Sequence, residues 1–334
     1  MNSKNRDVTF DIARSICIVE IVFFLHATNY VDINALPDYT KPTLLGLTNA
    51  ALATFTFMSG YFLNRYEIKT WSDLKKFYFN RIKRFWILYF IASSILFVAT
   101  SVAGQPWFDS FSNFVLSLVG LTVFYGPLPG TLWYMVILMF FYVITPMFQS
   151  MEYLTWKVGL GVVFILLFWL LYSEGILVKQ AFFFFPFYLL GLLCPHDFME
   201  YLKRKANIVL PLCTILLIIV LIVVADKMVL QSFEKLLGGI VIIMASSLLS
   251  RYSMICRAAN VISYSSLAMY LFHRHFYLSF LVLYYYPAIN NANDLVVPLW
   301  FLYGIICPCI LIGSYIIQRV YDRMMKLLLV KKYS

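Results

Sequence analysis

An all-α, polytopic membrane protein of about ten transmembrane helices, with both termini cytoplasmic, is the fold class this chain predicts. Three observations lead there. The composition is 62% hydrophobic and 13% charged, with a mean hydropathy of +0.81, where soluble domains lie near about 45–50% apolar and about 25% charged. The apolar residues gather in runs bounded by charge, such as Ile208–Ala225 and Val158–Tyr172, close to the roughly 20 residues that carry a helix across a bilayer. The alternating ten-residue segments of a transmembrane barrel do not occur.

The apolar runs lie near residues 12–30, 44–64, 84–102, 131–149, 158–173, 180–194, 207–225, 236–250, 261–283 and 297–318. A further run, Phe111–Tyr125, is shorter and framed by Gly104-Gln105-Pro106 and Gly126-Pro127-Leu128-Pro129-Gly130. Charge placement decides its status. With ten spans, every Lys and Arg except Lys41, Lys179, Lys227, Lys235 and Arg274 falls on the cytoplasmic side, as the positive-inside bias requires. If 111–125 also spanned, Lys203-Arg204-Lys205 and the basic C-terminal segment would face outward. It is therefore expected to be an interfacial or re-entrant helix on the outer side.

The net charge of +10 is thereby a topology signal, and nucleic acid is not an expected partner. Basic residues precede the first run but no small-residue cleavage site follows, so it is expected to remain as a span. The six cysteines lie in or beside apolar runs with neither metal-ligand nor redox spacing, so no metal site is expected. The aromatic run Phe182–Phe187 reads as a lipid-facing or packed helix start. With neither repeat nor linker visible, residues 1–334 read as one domain, multi-pass in the cell membrane and in contact with membrane lipid.

Ionisable residues inside a span cost about 2.5–3.5 kcal/mol each on insertion scales, so they are functional candidates by default. The first span carries Asp11, Arg14, Glu20 and His26; the second carries Ser59-Gly60, small enough to admit a ligand. The third opens with Arg81 and Arg84, and the ninth holds Tyr270 and His273. At about 1.5 Å per residue, His26 lies ~18 Å above Arg14 and His273 ~18 Å above Val261, which brings the two histidines to similar heights. Ser59 and Gly60 fall at the level of Arg14, Arg81 and Arg84.

Two arginines three residues apart share a helix face and can fork onto a phosphate. A neutral imidazole is the usual general base for a hydroxyl. Blander readings stand beside these. The basic loop 65–84 serves topology alone, a membrane histidine is a helix–helix hydrogen bond, and Asp11 with Arg14 is a local pair. Glu20, about 120° around a regular helix from both Arg14 and His26, shares a face with neither. Arg274 and His275 sit on other faces than His273, one of them reaching the outer interface.

The ordered segments "FDIARSICIVEIVFFLHA", "FTFMSGYFL", "RIKRF", "GTLWYMVILMFFYVITPMF" and "YSSLAMYLFH" resemble the acyltransferase-3 family of integral membrane acyltransferases over essentially the whole chain. The resemblance implies ten helices and, in many members, O-acetylation of bacterial surface glycans. It places the family's first-helix Arg and His on Arg14 and His26, its Ser-Gly on Ser59 and Gly60, and its Arg-x-x-Arg on Arg81 and Arg84, thought to help bind acyl-CoA. Its span-opening Trp falls on Trp133 and its Tyr-x-x-His on Tyr270 and His273. Glu20, in place of a usually apolar residue, and Arg274-His275 depart from the pattern. The segment ending at Ser334 looks like the family's minimal single-domain form.

The leading expectation is transfer of an acyl group, acetyl foremost, from cytoplasmic acyl-CoA to a hydroxyl of a surface polysaccharide or lipid-linked glycan. Acyl-CoA is then a donor substrate, with no permanently bound cofactor. His26 would be the general base or the acyl carrier, Arg14, Arg81 and Arg84 would hold the donor phosphates, and Tyr270 with His273 would line the centre. The alternative is an exporter or flippase of a glycan or lipid intermediate, for which repeat symmetry and broken midplane helices are expected and are not visible. Nothing in the outer loops Asp32–Pro42 and Tyr284–Pro298 identifies a sugar.

Overall fold

The computed structural model describes residues 7–30, 40–64, 66–102, 108, 110–223, 228–285 and 297–330. Lys4, Arg6, Arg65, Lys227, Lys331 and Lys332 of the charge pattern lie outside the described residues, as do Gly104-Gln105-Pro106 and most of the two outer loops. Among the described residues the secondary structure is helical, apart from one isolated β-bridge between Phe124 and Leu177. In their described parts, the apolar runs from 12–30 to 297–318 each fall on a helix.

Among the described residues four helices are long and apolar enough to cross a bilayer: Gly130–Gln149, Leu154–Ser173, Ser232–Leu249 and Leu299–Leu327. A fifth is added if Lys179–Leu193 is taken together with His196–Arg204. The stretch 111–125 forms an eight-residue helix, Phe111–Leu118, that stops at Gly120 and continues as the short 3-10 turn Leu121–Val123. Gly120 carries φ +79°, a left-handed conformation that glycine adopts without a Cβ penalty. Eight residues rise only ~12 Å, well short of the ~30 Å hydrocarbon core.

Two compact units make up the chain, the first from Met1–Phe55 and Asp197–Ser334, the second from Thr56–His196. In the first, α1 (Val8–Val19) begins at Asp7, whose carboxylate accepts the Thr9 amide as an N-cap. It continues through a wide π-turn, Glu20–Leu25, into a 3-10 stretch, His26–Tyr30. The helix α2 (Thr40–Leu63) passes from this unit into the second. After α9 (His196–Arg204), α10 (Ala206–Val223) and α11 (Met228–Leu249) pack together, and α1 packs against both α11 and α12 (Ser253–Tyr285). At 33 residues α12 rises ~50 Å, so it outreaches the apolar layer. After α13 (Leu299–Phe301) and a second π-turn, Leu302–Ile306, the helix α14 (Cys307–Val330) lies along α12.

Lys203 of α9 ties down the start of α1. Its ammonium donates to the Asp7 carboxylate and, at 2.9 Å, to Glu200, and it lies 4.9 Å from the centre of the Phe10 ring. One residue of the cationic Lys203-Arg204-Lys205 patch is thus engaged in ion pairs within this unit.

The second unit holds α3 (Trp71–Arg81), a π-turn over Ile82–Trp86, and α4 (Ile87–Val102). Thr70 caps α3 in a reciprocal capping box with Asp73. The short α5 (Phe111–Leu118) leads to α6 (Trp133–Gln149), α7 (Leu154–Ser173) and α8 (Lys179–Leu193). The core is aromatic: Phe185 sits 4.6 Å from Phe168 and 5.6 Å from Phe141, ring centre to ring centre. Phe184, Phe185 and Phe187 are buried, so the 182–187 run is in the main packed rather than lipid-facing.

Candidate active site

In the first unit the structure brings His26 and His273 into face-to-face contact. Their rings are 4.6 Å apart and within 4° of parallel. His273 is fully buried and His26 nearly so. Nδ1 of His273 lies 2.7 Å from the Tyr270 carbonyl and 3.2 Å from that of Met269. A carbonyl only accepts, so Nδ1 carries the hydrogen and Nε2 of neutral His273 carries the lone pair. Neither that Nε2 nor Nδ1 of His26 has a hydrogen-bond partner among the described residues.

What aims His26 at α12 is the π-turn. Its backbone N–H bonds the Ile21 carbonyl, five residues back rather than four, which widens the turn. Two carbonyls within the turn accept hydroxyls from elsewhere in the unit: Tyr277 donates to Val22 O at 2.8 Å, and Tyr303 donates to Phe23 O at 3.1 Å. Widened turns of this kind recur at functional positions. Tyr277 also meets the His273 ring edge-on and stacks on Tyr30 at 4.5 Å. Tyr270 lies with its ring centre 6.0 Å from that of His273.

The regular 100° spacing assumed for Glu20 does not hold, because Glu20 opens this π-turn. Its carboxylate has a partner on another helix: Oε1 accepts from the Thr48 hydroxyl of α2 at 2.7 Å. Arg274 is likewise no outward-facing bystander, since its guanidinium lies 4.9 Å over the Tyr30 ring. Asp11 and Arg14 form more than a local pair. Arg14 donates to Ser263 Oγ at 2.9 Å and approaches Asp11 Oδ1 at 3.5 Å, while Ser263 donates to Asp11 Oδ1 at 2.8 Å. That triangle ties α1 to α12 and answers part of the Arg14 charge.

In the second unit Arg81 stands in an aromatic cage. Its guanidinium carbon is 5.6, 5.4 and 5.5 Å from the ring centres of Tyr66, Phe77 and Tyr142. Its Nε has no hydrogen-bond partner among the described residues, and the three rings surround its positive charge. The cavity beside it, walled by Tyr78, Phe85 and Trp86, measures only ≈10 Å³, room for about one water. Arg84 lies in the adjoining π-turn; its side chain is outside those described.

Gly60 has a packing reason for being small. A Cβ there would lie 2.2 Å from the Tyr188 carbonyl oxygen of α8, and one at Gly191 would lie 2.1 Å from the Phe57 carbonyl oxygen of α2. The space at Gly60 is thus filled by α8 rather than left for a ligand, and Ser59 beside it is half-buried. Trp133, half-buried at the start of α6, packs at 5.8 Å on Phe184 and walls an open recess of ≈260 Å³.

Thr48, Ser263, Tyr30, Tyr277 and Tyr303 join these groups without having been singled out in the sequence. Tyr277 alone had a usable signal, one helical turn beyond His273 and on the same face. No curated protein and no solved structure matches the chain. The family profile described as an acyltransferase domain matches residues 7–319, which include every candidate residue named above. The apolar helices and that match make the protein a membrane acyltransferase, and the chain belongs to the acyltransferase-3 family.

Proposed function

We propose that this protein moves an acyl group, acetyl foremost, from acyl-CoA on the cytoplasmic side to a hydroxyl of a surface polysaccharide or lipid-linked glycan. The observation that carries the reading is the stacked pair of histidines, one of them held by backbone carbonyls in a single tautomer. Two buried imidazoles with a free ring nitrogen each are costly to keep in an apolar layer and suit proton transfer to or from a hydroxyl.

In the step we propose, His26 takes the proton of the acceptor hydroxyl as its oxygen attacks the thioester carbon. The new C–O bond forms, the C–S bond breaks, and the proton passes from His26 to the departing CoA thiolate. His273, flat against His26, fixes the orientation of that ring. Arg81 and Arg84 take the donor phosphates; the charge of Arg81 suits it to an anion. Arg14 has less to offer, with Asp11 and Ser263 already on its guanidinium. Tyr270 lines the centre, and residues 1–334 act as one domain in the cell membrane.

The test is the purified protein with radiolabelled acetyl-CoA and a glycan extract of the host surface. Wild type is expected to transfer label to glycan, and His26→Ala to transfer none while accumulating normally in membranes. Undiminished transfer by His26→Ala would remove the assignment.

A further inference from the structure

The recess beside Trp133 has the makings of a sugar site. It lies within the second unit, between the loop that enters α6 and the link that enters α8, and it is lined by Gly126, Leu128, Gly130, Trp133, Val178 and Gln180. At ≈260 Å³ it falls just under the ~300 Å³ at which drug-sized pockets begin, which fits one ring rather than a chain of them. Among the described residues no charged side chain lines it. An anionic ligand therefore has nothing to hold it there. An aromatic face, a primary amide and exposed loop backbone are the groups that recognise a neutral polyol.

The walls are fixed independently of any ligand. Tyr125 N–H donates to Ile176 O at 2.7 Å and Val178 N–H to Val123 O at 2.9 Å, pinning the two loops together. Asn113 Nδ2 donates to Pro127 O at 3.0 Å and holds the loop from beneath. Tyr125, next in chain to the recess, is largely exposed yet sits at φ +66°, a conformation uncommon for a residue with a side chain. Such outliers gather at ligand clamps, and a site already in shape loses less entropy on binding. Gln180 is exposed and its side chain makes no hydrogen bond to the described residues.

We propose that this recess binds one neutral sugar residue, stacked on Trp133 and bonded by the Gln180 amide, and that this residue belongs to the acyl acceptor. The second clause rests on the function proposed above. Under the charge-derived topology, both the loop before α6 and the link before α8 face outward, the side from which a surface glycan arrives.

The experiment uses full-length protein in nanodiscs with a set of methyl hexopyranosides as probes, read by saturation-transfer NMR. At least one glycoside is expected to show transfer. The signal should fall roughly tenfold in Trp133→Ala, the loss of one aromatic contact, and as far in Gln180→Trp, which fills the recess from an exposed position. It should persist in His26→Ala. No transfer from any glycoside, or an unchanged signal in Gln180→Trp, overturns the proposal. Sugar binding of this pattern without acyl transfer would overturn the acyltransfer mechanism and leave the sugar site standing. Glycan acylation that is indifferent to Gln180→Trp would do the reverse.

Discussion

Replacing Gly191 by alanine tests how closely α2 and α8 must approach. The added Cβ would lie 2.1 Å from Phe57 O and 2.7 Å from Tyr61 N, while one at Gly60 would lie 2.2 Å from Tyr188 O and 2.9 Å from Leu192 N. Ordinary contact begins near 3.4 Å, so each substitution is more than 1 Å too close. The obstructing atoms are backbone, so no rotamer change relieves the clash and the helices have to separate. Overpacking costs about 1–3 kcal/mol where side chains can adjust, and we place Gly191→Ala at the upper end, about 3 kcal/mol. Small residues at membrane helix crossings serve this close approach.

The measurement is unfolding of the purified variants in mixed detergent, followed by aromatic fluorescence. Gly60→Ala and Gly191→Ala should each destabilise, and the double variant should cost less than their sum, because one separation accommodates both methyl groups. A Gly191→Ala variant within about 0.5 kcal/mol of wild type, the range of indifferent surface changes, would refute the reasoning. A stable Gly60→Ala variant that had lost only donor binding would return Gly60 to a ligand role.

Two other outcomes follow from the first unit. Tyr277→Phe leaves the Val22 carbonyl without its hydroxyl donor, a loss of about 1–3 kcal/mol, and lets the His26 turn relax; kcat for acyl transfer should fall while KM for acetyl-CoA stays, and a Tyr277→Phe variant with wild-type kcat would exclude a positioning role. Glu20→Gln keeps an oxygen for the Thr48 hydroxyl and should unfold within about 1 kcal/mol of wild type, whereas Glu20→Leu removes that hydrogen bond and should cost about 0.5–1.5 kcal/mol more; equal stability of the two variants would show that the bond contributes nothing.

The helices were legible because hydropathy reports the solvent each residue meets, and the described part of every apolar run from 12–30 to 297–318 falls on a helix. The failure of 111–125 to make a long helix was legible too, from its shorter run, the Gly-Pro segments that frame it and the placement of charge. Depth gave His26 and His273 similar heights, because equal rise from equivalent ends fixes height; that their rings stack is a finding of the structure. Direction around the helix did not follow. Glu20 was placed by regular winding, and the π-turn that undoes this has no signature in residue type. Its supports, Tyr277 and Tyr303, lie about 255 and 280 positions away in the chain. The packing reason for Gly60 was hidden for a related reason, since a small residue looks the same whether a ligand or another backbone lies beside it.

The wide turn at Glu20–Leu25 also makes winding a functional variable. A π-turn amounts to one extra residue wound into a helix, held here because tyrosines occupy its carbonyls. Were the same residues wound as a regular helix, everything beyond the turn would swing by about 100°. His26 would leave the face of α12, although composition, hydropathy and every charge would be unchanged. In this helix the way the backbone is wound is itself a determinant of chemistry, and loss of the π-turn would act like removal of the histidine.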